Sequence, residues 1–209
     1  LDLSNNTALI DLECYYNYQL TTLDVSNCTA LTFLSCSGNQ LTTLDVSTNT
    51  ALTYLYCDYN QLTTLDVSTN TALTYVECDN NQLTCLDVSN NDSLYFLRVF
   101  DNLLEQLNTK NGNWVNMTVR ARNNNLTCVE VDNIGFATNN WQFDSFTTIS
   151  TNCNYVNPCP TISAIEEQST NKKLLRTIDV LGRETKGKKN QPLFYIYDDG
   201  TVEKRIVIE

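Results

Sequence analysis

Apolar residues recur along this chain at intervals too irregular for a helix face. Between positions 52 and 67 they are Leu52, Leu55, Cys57, Leu62, Leu65 and Val67, spaced for a coil of chain whose inner side stacks on the next coil. The order then repeats. "LDVSNCTALTFLSCSGNQLTT" from 23, "LDVSTNTALTYLYCDYNQLTT" from 44 and "LDVSTNTALTYVECDNNQLTC" from 65 are each 21 residues long. Each unit predicts one short strand with inward and outward residues alternating, and one unit alone cannot bury its apolar side.

Flanking copies extend the array. "LDLSNNTALIDLECYYNYQLTT" (1–22) carries one extra residue, "LDVSNNDSLYFLRVFDNLLEQ" (86–106) is degraded, and a sixth copy to Cys128 keeps only "VRARNNNL". The template L-x-x-L-x-C-x-x-N-x-L resembles the leucine-rich repeat signature, in which each copy gives one strand to a parallel, concave sheet. The resemblance implies an α/β-type leucine-rich repeat solenoid, mostly strand and loop, over residues 1–128. A C-terminal cap and linker (129–159) and a small β-rich module (160–209) follow. Because the chain opens in mid-repeat, we expect an upstream segment in the natural protein, this chain being a fragment or processed form. Six strands about 4.8 Å apart make a sheet about 25 to 30 Å long. The Asn at Asn17, Asn39, Asn60, Asn81, Asn102 and Asn124 recurs every 21 or 22 residues, and a buried amide column requires backbone partners where each coil bends.

Alternation turns three columns of side chains toward solvent on the concave sheet. They contain Phe33, Tyr54, Tyr75 and Phe96; Tyr56, Glu77, Arg98 and Arg120; and Asp58 and Asp79. Aromatic faces bordered by carboxylates suit sugar rings or a protein hot spot, and also plain cross-strand packing. Protein ligand, glycan and no dedicated ligand therefore stay open. Asp58 and Glu77 are spaced for an inverting glycosidase, but an open sheet offers no pocket to raise one pKa. The chain has no histidine, which removes the commonest general base and metal ligand. We expect no enzyme, metal or cofactor.

Cys14, Cys36, Cys57 and Cys78 share one template position with Val99 and Ala121. Valine and alanine replace cysteine only where the task is filling space, so we expect buried free thiols. Asp2, Asp24, Asp45, Asp66 and Asp87 form another file in the "LDVS" segments, read as local caps of backbone N–H groups with a calcium ladder as the alternative. Residues 1–169 carry 18 acids and 4 bases and residues 170–209 carry 6 acids and 9 bases, for a net charge of −11. So acidic a body repels phosphate backbones, and no nucleic-acid partner is expected. No apolar run reaches membrane-spanning length.

The tail "KKLLRTIDV", "LGRETKGKKNQ" and "PLFYIYDDGTVEKRIVIE" predicts a strand, a loop and a hairpin closed around Asp199 and Gly200. With "DVLGRE" at Asp179 to Glu184, it resembles the C-terminal sorting domain of type IX secretion in Bacteroidota. The resemblance implies export by that machinery to the outer-membrane surface or the medium, a compartment that permits disulfides. In that setting Cys128–Cys153 is the favoured bridge, pinning a cap of Phe136, Trp141, Phe143 and Phe146. A Cys153–Cys159 pair or free thiols are the alternatives, and Cys28 and Cys85 stay unassigned. "DSL" at Asp92 also fits a short O-glycosylation pattern of this bacterial group. The function expected is extracellular recognition of a protein or glycan on the concave face, or else a structural spacer.

Overall fold

A computed structural model describes residues 3–155, Cys159 and the backbone of three strands nearer the C-terminus. The chain divides into two compact units, Leu1–Ala164 and Ile165–Glu209. In the first, the repeats wind as a parallel coil. Strands β1 (Asp11–Glu13), β2 (Phe33–Ser35), β3 (Tyr54–Tyr56), β4 (Tyr75–Glu77), β6 (Phe96–Arg98) and β8 (Thr118–Arg120) lie side by side in that order. Pairing is in register from turn to turn, so Phe33, Tyr54, Tyr75, Phe96 and Thr118 form one file.

The strands are three residues long because the chain must turn at once. Tyr16, Gly38, Tyr59, Asn80, Asp101 and Asn123 each precede a ladder asparagine, and all have positive φ. Only at Gly38 is that conformation free of steric cost. The asparagines then satisfy the bend. Asn60 Nδ2 donates to the carbonyls of Cys36 (3.0 Å) and Cys57 (3.1 Å), and its Oδ1 accepts the Leu41 N–H at 3.0 Å. Asn81 repeats the pattern with Cys57, Cys78 and Leu62. A second file, absent from the sequence expectations, does similar work. Asn49, Asn70 and Asn91 are fully buried and donate to carbonyls of the preceding turn.

Packing follows the template. Leu31, Leu34, Leu52, Leu55, Leu73, Leu94 and Leu97 are fully buried in one continuous core. Cys14, Cys28, Cys36, Cys57 and Cys78 lie in it as free thiols. Burial raises the Cys36, Cys57 and Cys78 thiols well above their ordinary pKa, so they stay protonated and inert. The "LDVS" carboxylates cap locally: Asp24, Asp45, Asp66 and Asp87 each accept the N–H two residues on, at 2.8–2.9 Å. Asp2 lies outside the described residues.

A second parallel sheet, not foreseen, forms on the later turns. Its order is β10 (Thr148–Ser150), β9 (Cys128–Glu130), β7 (Gln106–Asn108) and β5 (Cys85–Asp87). Between β9 and β10 runs helix α1 (Ile134–Asn140), whose N-cap Asn133 accepts the Phe136 N–H at 2.9 Å. The cap is thus one more turn of the coil. Trp141 is buried there, with Nε1 donating to the Met117 carbonyl at 2.8 Å. Trp114, Phe136, Trp141 and Phe143 meet edge to face in sequence. Phe146, expected in that cover, is instead 63% exposed, because the turn before β10 carries it past the end of the core.

Two disulfides fix the segment that follows. Cys128 joins Cys153 at a Cα separation of 5.8 Å, and Cys85 joins Cys159 at 5.5 Å. The alternative Cys153–Cys159 pair does not form, since Cys159 reaches back to β5. Between the two bridges the Tyr155 hydroxyl donates to the Cys128 carbonyl at 2.8 Å and accepts the Leu107 N–H at 3.2 Å. The strap therefore steps from β9 toward β5, against the winding of the coil.

In the second unit, β11 (Leu174–Ile178), β12 (Pro192–Tyr197) and β13 (Val202–Ile206) form an antiparallel sheet. The expected hairpin pairing is present, with Ile196 opposite Val202. The turn at Asp199 and Gly200 and the "DVLGRE" motif lie outside the described residues.

Candidate functional site

The outward columns converge as a platform of rings. Phe33 and Tyr54 have centroids 6.0 Å apart, Tyr54 and Tyr75 6.1 Å, and Tyr75 and Phe96 stack at 4.5 Å with planes 11° apart. Tyr56 fills the neighbouring column, 5.5 Å from Phe33 and 5.2 Å from Tyr75. These rings are held because parallel pairing in register repeats one template position about every 4.8 Å. Tyr54 remains 37% exposed and the others partly so.

Tyr95 was missed in the sequence. It stands where the preceding turns carry Thr32, Thr53 and Thr74, is 41% exposed, and meets Tyr75 edge-on at 6.0 Å. The break of a threonine file by tyrosine was the available signal.

Charge borders the rings on one side. The Tyr75 hydroxyl donates to Glu77 Oε1 at 2.6 Å, and burial, then this bond, raise its pKa. Arg98 ties two carboxylates together, with Nη1 3.4 Å from Glu77 Oε2 and Nε 3.1 Å from Asp79 Oδ1. Its guanidinium also lies 4.4 Å from the Phe100 ring centre. Arg120 sits over Phe96 at 5.5 Å and is exposed.

Asp79 departs from its expected place. Alternation pointed it to solvent, yet it is 1% exposed, because Arg98 and Asn80 bind its carboxylate and cover it. Asn80 Nδ2 donates to its Oδ2 at 2.9 Å. Burial pushes its pKa up to about 6 against the pull of Arg98 and Asn80. Asp79 therefore anchors Arg98 and does not present a carboxylate to a ligand. Asp58, partly exposed, accepts the Ser37 hydroxyl.

Comparison with known proteins places this geometry. Residues 29–70 match the model for leucine-rich repeats in two copies. The fold is a leucine-rich repeat solenoid. Residues 72–101 match an LVIVD repeat model, and in the structure they continue the same solenoid through β4, β5 and β6. A search of curated proteins gave no match.

Among solved structures, the chain is similar to the functional domain of InlJ from Listeria monocytogenes, which includes a cysteine ladder. Identity is 31% and the TM-score 0.61, over 72% of this chain and 33% of that one. An internalin, InlF, of the same species has 25% identity and a TM-score of 0.56, over 71% of this chain and 45% of that one. A leucine-rich repeat protein of Leptospira interrogans has 26% identity and a TM-score of 0.53, over 57% and 33%. The chain thus spans between a third and a half of the proteins it resembles. No helix among the described residues is long and apolar enough to cross a membrane. The disulfides and the internalin-like neighbours are consistent with an extracellular protein.

Proposed function

We propose that this solenoid is a secreted or surface-displayed recognition protein whose six-stranded face binds an extracellular protein or glycan, without catalysis. One observation carries the reading. Six rings, Phe33, Tyr54, Tyr56, Tyr75, Tyr95 and Phe96, lie together partly open to solvent, and a contiguous exposed apolar patch is what marks an interaction surface. Export by type IX secretion through residues 160–209 belongs to the same proposal, supported by the "DVLGRE" and "PLFYIYDDGTVEKRIVIE" motifs.

A spacer role is the second reading, favoured by the close Tyr75–Phe96 stack, which stabilises adjacent turns with no ligand. Changing Tyr54 and Tyr56 to serine separates the two. Recognition predicts loss of binding to arrays of glycans and surface proteins, whereas a spacer predicts no change. Truncation before Pro160 tests export, and secretion at the full level would remove the sorting assignment.

A further inference from the structure

The six-stranded face is electrically polar along its length. At one end β1 presents Asp11 and Glu13, both exposed, and the outward residues of the next turn are Phe33, Ser35 and Ser37, with no base among them. At the other end Arg120, on β8, and Arg122 just beyond it are exposed. Arg98, between them, is outnumbered by Glu77 and Asp79, and with partly exposed Asp58 the middle of the face keeps a net negative charge. Asp101 and Asp144, bonded there to the neutral amides of Asn123 and Asn124, keep their charge and partly offset the two arginines. Between the two ends lies the platform of rings. The face therefore grows less acidic from β1 to β8, with exposed carboxylates at one end, the rings between, and exposed guanidiniums at the other.

We infer that this face selects a protein segment presenting basic, apolar and acidic side chains in that order, laid across the strands; the inference rests on the recognition function proposed above. Five strand spacings of about 4.8 Å separate the charged ends by roughly 24 Å. About seven extended residues cover that distance at about 3.3 Å each. Complementary charge at both ends orients such a segment and speeds its encounter, while the rings supply the apolar contact. A single neutral sugar ring uses the platform but reaches neither end.

The test uses the full chain and labelled synthetic peptides read by fluorescence anisotropy at low ionic strength. One peptide carries a lysine block, an apolar middle and a glutamate block; its control has the same composition with the charges interleaved. The block peptide is expected to bind about tenfold tighter. Arg120→Glu with Arg122→Glu removes that preference, and so does Asp11→Lys with Glu13→Lys. All four changes together restore it, because the peptide turns end for end. These six-stranded-face positions are exposed, so the variants keep the fold, which thermal unfolding checks. Equal binding of both peptides, or a fourfold variant no better than the twofold ones, overturns the inference. If neither peptide binds while glycan binding depends on Tyr54 and Tyr56, the charged-segment partner is rejected and the recognition function stands. If glycan binding is also absent or indifferent to those tyrosines, both fall.

Discussion

Asn60 and Asn39 occupy the same template position, yet their replacement by alanine should differ in cost. Asn60 Oδ1 accepts the Leu41 N–H, whereas Asn39 Oδ1 is buried with no partner. The extra residue in the first unit is the cause. There Leu20 N–H bonds to the Asn17 carbonyl instead of reaching back to the following turn's amide. The carbonyls that Asn60 serves keep other donors after Asn60→Ala, since Cys36 O also receives Asn39 Nδ2 and Cys57 O also receives Asn81 Nδ2. The distinguishing loss is therefore Leu41 N–H, left unpaired at a fully buried residue. Orphaning a buried donor costs about 1–3 kcal/mol, so Asn60→Ala should be more destabilising than Asn39→Ala by about that amount. Stability in repeat proteins is close to a sum over neighbouring turns, so urea unfolding should be paired with native-state hydrogen exchange of the Leu41 amide. Equal destabilisation by the two variants, or a Leu41 amide as protected in Asn60→Ala as in wild type, would refute the reasoning.

Three further outcomes follow from the same structure. Cys36, Cys57 and Cys78 should be silent to an aromatic disulfide reagent in the native protein and react fully on unfolding; native reactivity would contradict their burial. Asp79 has a folded pKa above its unfolded one, so the folded state binds the extra proton between about pH 4 and 6. Its contribution to stability should therefore fall as pH rises through that window, and a pH series of urea midpoints should lose that slope in Asp79→Asn; an unchanged slope assigns it elsewhere. Cys85→Ser should free the far end of the strap while Cys128–Cys153 holds the near end, lowering the melting temperature and opening the segment after Tyr155 to protease. The chain-entropy scale for a loop of 74 residues is about 4.5 kcal/mol, and a wild-type digestion pattern would show that the strap does not depend on that bridge.

Much of this fold is legible in sequence because the repeat imposes a register. Once Leu55 and Cys57 are placed inward, Tyr54 and Tyr56 must face the other way, and the structure places them so. The Asn17-to-Asn124 ladder is visible as a polar residue held constant among apolar ones. The Asn49 file was hidden because Cys28 occupies its position in the preceding unit, which disguised both residues. Asp79 eluded the pattern because its neighbours decide its exposure: Asp58 and Arg122 hold the same template position and stay open, whereas Arg98 and Asn80 cover Asp79. Cys85 carried a readable signal, since it closes its unit as Cys128 closes another. Its partner was not legible, because the strap's return along the second sheet depends on a sheet the template did not announce.

The central claim is that the ring platform binds a ligand, and titration of the full chain against its best array hit tests it most directly. Wild type, Tyr54→Ser with Tyr56→Ser, Tyr95→Ser, and a control at exposed Thr48, which bonds to the Ser26 carbonyl away from the platform, form the set. The account predicts at least about tenfold weaker binding for the double variant, a smaller loss for Tyr95→Ser, and none for Thr48→Ala. Wild-type affinity in the double variant, with its fold intact by thermal unfolding, would contradict it.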